Sequence, residues 1–254
     1  MSNSTIDRPA ALGVLQDAMD RVVATQGAAI SEAARLCTEA LTGDGIIQAF
    51  GTGHSRSFTM EIAGRAGGLV PANQLSIKDV VMYGGVDPEE ILDPTKERDP
   101  ELAHRVWELH DISPADVFLI ASNSGINGAV VEMARLARRN GNPVVAVTSL
   151  AHSEAVPTRD PAGERLFEVA DVVIDNCGVP GDAAYELPGG ARIVPTSTLT
   201  SALIAQLLTA EICAALVARG IDPPVYISEN VVGGDAHNAA LRERYASRIR
   251  RHEP

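Results

Sequence analysis

Positive charge is scarce in this chain of 254 residues: 21 lysines and arginines stand against 33 aspartates and glutamates, for a net charge of −12. A surface so acidic repels polyphosphate and anionic lipid, which excludes nucleic acid and membrane as partners. Cysteine is scarce too. Cys37, Cys177 and Cys213 are odd in number, far apart and outside Cys-x-x-Cys spacing, which argues against a zinc knot and for a reducing, cytoplasmic location. No run of eighteen apolar residues occurs, because Ile193 to Ala218 is interrupted by Thr196, Ser197, Thr200, Gln206 and Glu211. The opening Met-Ser-Asn-Ser-Thr-Ile-Asp-Arg has no apolar signal core. With 45% hydrophobic and 21% charged residues, wholesale disorder and a fibrous repeat are excluded, and the length suits a single α/β domain with additions.

Glycine, by contrast, is plentiful at 22 residues, and it clusters after apolar runs instead of in one linker. That placement is the mark of βα turns that approach a ligand. From Arg8 to about Leu41 apolar residues recur at helical spacing, giving one or two leading helices. Gly45 to Phe50 reads as a buried strand, followed by a glycine turn and a helix over about 55–66, and a second strand lies near 69–75. Residues 76–100, with Gly84-Gly85 and three prolines, read as an irregular insertion before a short helix over 101–110. Strands are expected at 116–121, 144–148 and 171–175. A glycine- and proline-rich connection over 177–190, a long helix over about 196–219 and a basic terminal helix follow. Strands alternating with helices imply a parallel sheet covered on both faces. The expected division is a helical segment over 1–43, the main domain over 44–235 and a helical tail over 236–254.

Two turns stand out. Gly51-Thr52-Gly53-His54-Ser55 puts bare amides at a helix start, yet Arg56 replaces the third glycine of a dinucleotide fingerprint and no acid closes the second strand. No Gly-Lys-Ser/Thr follows a glycine run, and Gly53 to Ser57 lacks the closing glycine of a nucleophile elbow. The second turn, Ser122-Asn123-Ser124-Gly125-Ile126-Asn127, gathers more polar side chains than one helix cap needs and contains no lysine or arginine. It suits a phosphoryl group, or a carboxylate, held by neutral hydrogen bonds and a helix dipole.

Gly-Thr-Gly-His-Ser on the first turn, Ser-Asn-Ser-Gly on the second and Pro195-Thr196-Ser197-Thr198 opening the long helix together resemble the sugar isomerase (SIS) family over about residues 28–234. The likeness is to a phosphosugar isomerase-like branch, related to phosphoheptose and arabinose-5-phosphate isomerases, that shares the ending Asn-x-x-Gly-Gly-Asp-x-His-Asn (Asn230 to Asn238). The resemblance implies a three-layer α-β-α sandwich with five parallel strands in flavodoxin-like order and helices added at both ends. It further implies a sugar phosphate at the strands' C-terminal ends, and a homodimer or homotetramer with the site at a subunit interface. By position, Gly51, Thr52, Gly53 and Ser55 with Ser122, Asn123, Ser124, Gly125 and Asn127 match the family's phosphate cradle. His54 stands where arabinose-5-phosphate isomerases have a lysine, and Glu186 lies close to a carboxylate that those enzymes use.

Interconverting an aldose phosphate and a ketose phosphate through a cis-enediol needs a base, a group that opens the ring and a fixed phosphate handle. His54, Glu61, Glu186 and His237 are the sequence's candidates for those catalytic roles. Glu61 follows His54 by two helical turns, so the two side chains can share a face. A metal held by His54, Glu61 and His237 is conceivable on residue type, but the spacing is not compact, and neither metal nor cofactor is expected. A non-catalytic phosphosugar sensor, and a lyase or etherase that also starts with proton abstraction at C2, stay open on the same residues.

Overall fold

The computed structural model describes residues 7–250. Two helices lead, α1 (Arg8–Thr25), capped by the Asp7 side chain on the amide of Ala10, and α2 (Gly27–Thr42). The chain then enters β1 (Ile47–Gly51), a 3-10 turn (Gly53–Ser55), α3 (Arg56–Ile62) and β2 (Ala72–Leu75). Segment 76–100 carries α4 (Asp79–Met82), α5 (Glu89–Leu92) and a second 3-10 turn (Lys96–Arg98). After α6 (Glu101–Glu108) come β3 (Val117–Ala121), α7 (Gly128–Arg139), β4 (Val144–Thr148), α8 (Leu150–Ala155), α9 (Leu166–Val169) and β5 (Val172–Asp175). The connection beyond Cys177 is not only loop. It contains β6 (Ala183–Glu186), which pairs antiparallel with β7 (Arg192–Pro195). Two helices close the chain, α10 (Ser197–Ala218) and α11 (Gly234–Arg244).

The five parallel strands run in the order β2-β1-β3-β4-β5, the flavodoxin-like arrangement. Alternate residues face opposite layers, as the period of two requires. Ile47 and Ala49 of β1, Val117 and Leu119 of β3, and Val145 and Val147 of β4 meet Phe58 and Ile62 of α3 and Ile204, Leu208 and Ile212 of α10. On the other face Phe50, Phe118, Ile120, Val144 and Ala146 meet Val130, Met133 and Ala134 of α7 with Ala103 and Val106 of α6. Each fully buried Leu, Ile or Phe contributes about 1.5–3 kcal/mol of transfer free energy, so the two cores hold the three layers together.

By length and composition α10 would also suffice to cross a bilayer. Here it packs in the core on α2 and α3, and Thr196, Ser197 and Thr200, which interrupt its apolar run, are themselves buried. At the opposite end of the strands lies a buried polar network. Gln48, fully buried on β1, donates to Asp116 Oδ2 at 2.9 Å and accepts from Asn73 at 3.3 Å. Asn73 Nδ2 lies 2.9 Å from His110 Nδ1, and His110 Nε2 lies 2.8 Å from Asp79 Oδ2. His110, for which the sequence shows no constellation, is thus part of a packed network.

Candidate functional site

β1 and β3 lie side by side, with Gly51 opposite Ala121, and the helices that follow them leave toward opposite faces. Strand order reverses between them, and the crevice outside the carboxyl ends of such a pair is where an α/β sheet receives ligands. Both glycine turns fall there. A Cβ on Gly51 would stand 2.9 Å from the carbonyl oxygen of Ser55, so the first turn closes only on glycine. Gly125 has φ +61, and a Cβ there would stand 2.9 Å from Thr148 Oγ1.

The two turns touch directly, since the amide of Asn123 donates to Ser55 Oγ at 3.3 Å. Within the second turn the amide of Gly125 donates to Ser122 Oγ at 3.1 Å. A hydroxyl that accepts from an amide keeps its own proton to donate, so both serines remain able to bond an anion. Ser124 is half-buried on the same turn, and α7 opens at Gly128 with Asn127 as its N-cap, so the helix's first amides follow that turn directly. The turn is pinned from outside: Leu166 N donates to Gly125 O at 2.8 Å, Arg159 N to Ile126 O at 3.0 Å and Ser149 N to Asn123 O at 3.1 Å.

Three further cradle side chains are engaged with other side chains. Asn123 Oδ1 accepts from Asn176 Nδ2 at 2.9 Å, which directs that side chain to the end of β5. Thr52 Oγ1 donates to Glu97 Oε2 at 2.8 Å, and Asn127 Nδ2 donates to Glu97 Oε1 at 2.7 Å. Glu97 belongs to the second 3-10 turn, inside the segment that reads from sequence as an irregular insertion. Arg159 brings a guanidinium to the rim, 3.3 Å from Asn127 Oδ1, although the six-residue turn itself holds no cation. Neither residue carries a sequence signal, because both arrive from segments without periodicity or motif.

The four catalytic candidates are dispersed. His54 is exposed on the first 3-10 turn. Glu61, half-buried on α3, accepts from Arg65 and, at 2.6 Å, from Gln206 of α10. Glu186 is exposed on the hairpin and pairs with Arg192 at 3.2 Å. His237 Nε2 lies 3.0 Å from the carbonyl oxygen of Val225, while its neighbour Asn238 clamps the backbone of Ile227. Among the described residues, the bonds of Glu186 and His237 go to Arg192 and Val225 and not to the cradle. Among the described residues no group of three or more His, Cys, Asp or Glu stands together as a metal site.

The wall that carries Arg159 is fixed by charge. Asp160, whose side chain is fully buried, meets Arg135 of α7 at 2.5 Å. Burial alone would raise the Asp160 carboxyl, but the Arg135 guanidinium and the amides of Glu164 and Ala162 outweigh it and hold the carboxyl below its usual range. Glu132 is lowered in the same way: burial opposes ionisation, and Arg139 and Arg135 prevail. The cysteines stand apart from this chemistry, with burial pushing the Cys37 thiol up to about 12. A cleft of about 990 Å³ lies between α11 and the edge of the sheet, lined by Arg65, Tyr226, Glu229, Arg242 and Arg250, and no cradle residue lines it.

The SIS domain family model matches residues 12–149. A UPF0309 protein of Geobacillus kaustophilus is 37% identical over 221 residues, 87% of this chain and 86% of that one. A UPF0309 protein of Listeria monocytogenes is 36% identical over 226 residues, 89% and 91% of the two chains. Among solved structures, a phosphoheptose isomerase from Francisella tularensis superposes with a TM-score of 0.56 at 16% identity, over 81% of this chain and 96% of that one. The phosphoheptose isomerase of Neisseria gonorrhoeae gives 0.54 at 18% identity, over 80% and 96%. At such identities the likeness is one of fold.

Proposed function

This chain belongs to the SIS-domain family, and we propose that it binds a sugar phosphate at the paired turns and interconverts its aldose and ketose forms through a cis-enediol. The observation that carries the reading is the contact between the turns. Asn123 N on Ser55 Oγ brings two hydroxyl-bearing turns and the N-terminus of α7 to one point. The phosphate is held by Ser55, Ser122 and Ser124 with the amides around Gly125, and Arg159 adds a positive charge beside Asn127. That arrangement holds a dianion locally in a chain whose net charge is −12. The fold shared with phosphoheptose isomerases supports the substrate class.

The protein works as a cytoplasmic homo-oligomer. Supporting the self-association, Met60 of α3 and Leu199 and Val217 of α10, two helices packed on each other, are exposed at 55%, 38% and 61%. A second copy would remove that apolar surface from water.

Incubation with a panel of five- to seven-carbon aldose and ketose phosphates in deuterated water is the test. One member of the panel should exchange hydrogen at C1 or C2 and accumulate its isomer. Tight binding without exchange would make the protein a sensor, and absence of binding across the panel would overturn the reading.

A further inference from the structure

We propose that Glu97 is the carboxylate that carries the proton between C2 and C1 of the bound sugar, with Thr52 and Asn127 orienting it. This rests on the phosphosugar reading above. The chemistry needs a carboxylate within reach of the anion site, and the acids expected from sequence, Glu61 by its spacing from His54 and Glu186 by the family resemblance, are engaged elsewhere: Glu61 by Arg65 and Gln206, Glu186 by Arg192. Glu97, unlike them, touches both turns. Each of its oxygens accepts one bond, from Thr52 at 2.8 Å and from Asn127 at 2.7 Å, and each keeps a lone pair. It stands over Gly53, where a Cβ would come within 3.7 Å of Oε2.

Its backbone is seated as firmly as its side chain. The carbonyl oxygen of Arg98 presses on Gly128, where a Cβ would lie 2.4 Å from it, and Pro100 packs on the same glycine. The 3-10 turn is therefore docked on the first residue of α7, which fixes the carboxylate before any ligand arrives. Thr52 and Asn127 then serve as orienting groups, and the phosphate falls to the serines and amides beside them.

In the forward step the C2–H bond breaks and its proton passes to a Glu97 oxygen. The electron pair becomes the C1=C2 bond, and the carbonyl pair of C1 moves to O1, which takes a proton from solvent water, to which O2 returns one in the second step. Glu97 then returns its proton to C1 while O2 gives up a proton equal to the one O1 gained, and the C2 carbonyl forms. Protons and electrons balance with no co-reactant.

The test compares wild type, Glu97→Gln and Glu97→Ala in deuterium exchange at C1 and C2 and in calorimetric binding of the same sugar phosphate. Glu97→Gln should lose exchange by about 10²–10⁴-fold, the usual contribution of a positioned acid–base group, with affinity held within about threefold. Formate added to Glu97→Ala should restore part of the exchange, a recovery that a merely structural glutamate would not give. Exchange in Glu97→Gln within tenfold of wild type overturns the assignment of Glu97 and leaves the phosphosugar reading standing. A wild type that binds no sugar phosphate overturns both.

Discussion

Both oxygens of the buried Asp116 accept from one nitrogen of Arg248, at 2.8 Å each, so the residue that leads into β3 holds a side chain from near the end of the described chain. Asp116 also accepts from the amides of Ile46 and Ser113 and from Gln48. Arg248→Ala leaves those other donors in place and should cost about 1–3 kcal/mol. Asp116→Ala strands a guanidinium and three donors together and should cost about 3–5 kcal/mol. Urea unfolding of the two variants measures the difference, and equal losses would show that the tail contact carries the whole effect.

The Asp160 carboxyl is lowered in the folded state, so its stabilisation is fully present above the unfolded value of about 3.9 and is lost as pH falls through and below it. Glu132 acts in the same direction and window, from an unfolded value of about 4.3. The thermal midpoint should therefore fall below about pH 5, and Asp160→Asn, already destabilised at neutral pH, should show a shallower fall. A midpoint equally steep in both proteins would exclude this pair as the source.

Gly125→Ala forces a side chain into positive φ and against Thr148. The strain should cost about 1–3 kcal/mol and, by displacing the turn, weaken sugar phosphate binding by about tenfold or more. Gly141→Ala supplies the control, because Gly141 shares the positive φ but has open space around it. It should lose comparable backbone stability without losing affinity, as paired melting and calorimetry would show.

The paired substitution Ser122→Ala, Ser124→Ala removes two hydroxyl donors from the second turn. A hydrogen bond to a charged group contributes about 1.5–3 kcal/mol, so the double variant should bind inorganic phosphate and sugar phosphates at least about a hundredfold more weakly. Unchanged affinity would remove the serines from the anion seat.

The sheet and the two turns are legible in the sequence because their signals are local. β3, β4 and β5 are short apolar runs that end in or run into polar residues, and both glycine turns carry glycines whose backbone demands are visible as sequence. The β6–β7 hairpin is not legible. Ala-Ala-Tyr-Glu and Arg-Ile-Val-Pro lie half-exposed on the surface, with no alternation to set them apart from the glycine- and proline-rich segment that holds them. Glu97 is hidden for another reason. Its meaning lies in two hydrogen bonds to residues 45 and 30 positions away, and no spacing rule reaches across such separations. The candidates His54 and Glu61 do fall on one turn and its helix, but Glu61 faces α10, because Gln206 waits there to receive it.

The 3.3 Å bond between Asn123 and Ser55 joins a turn that leads to one helical layer with a turn that leads to the other. A sugar phosphate gripped by both would act as a rivet through the sheet, and the two layers could not come apart without releasing it. Ligand at a hundred times its dissociation constant should then add about 2.7 kcal/mol to the unfolding of the whole molecule, and both cores should gain protection together.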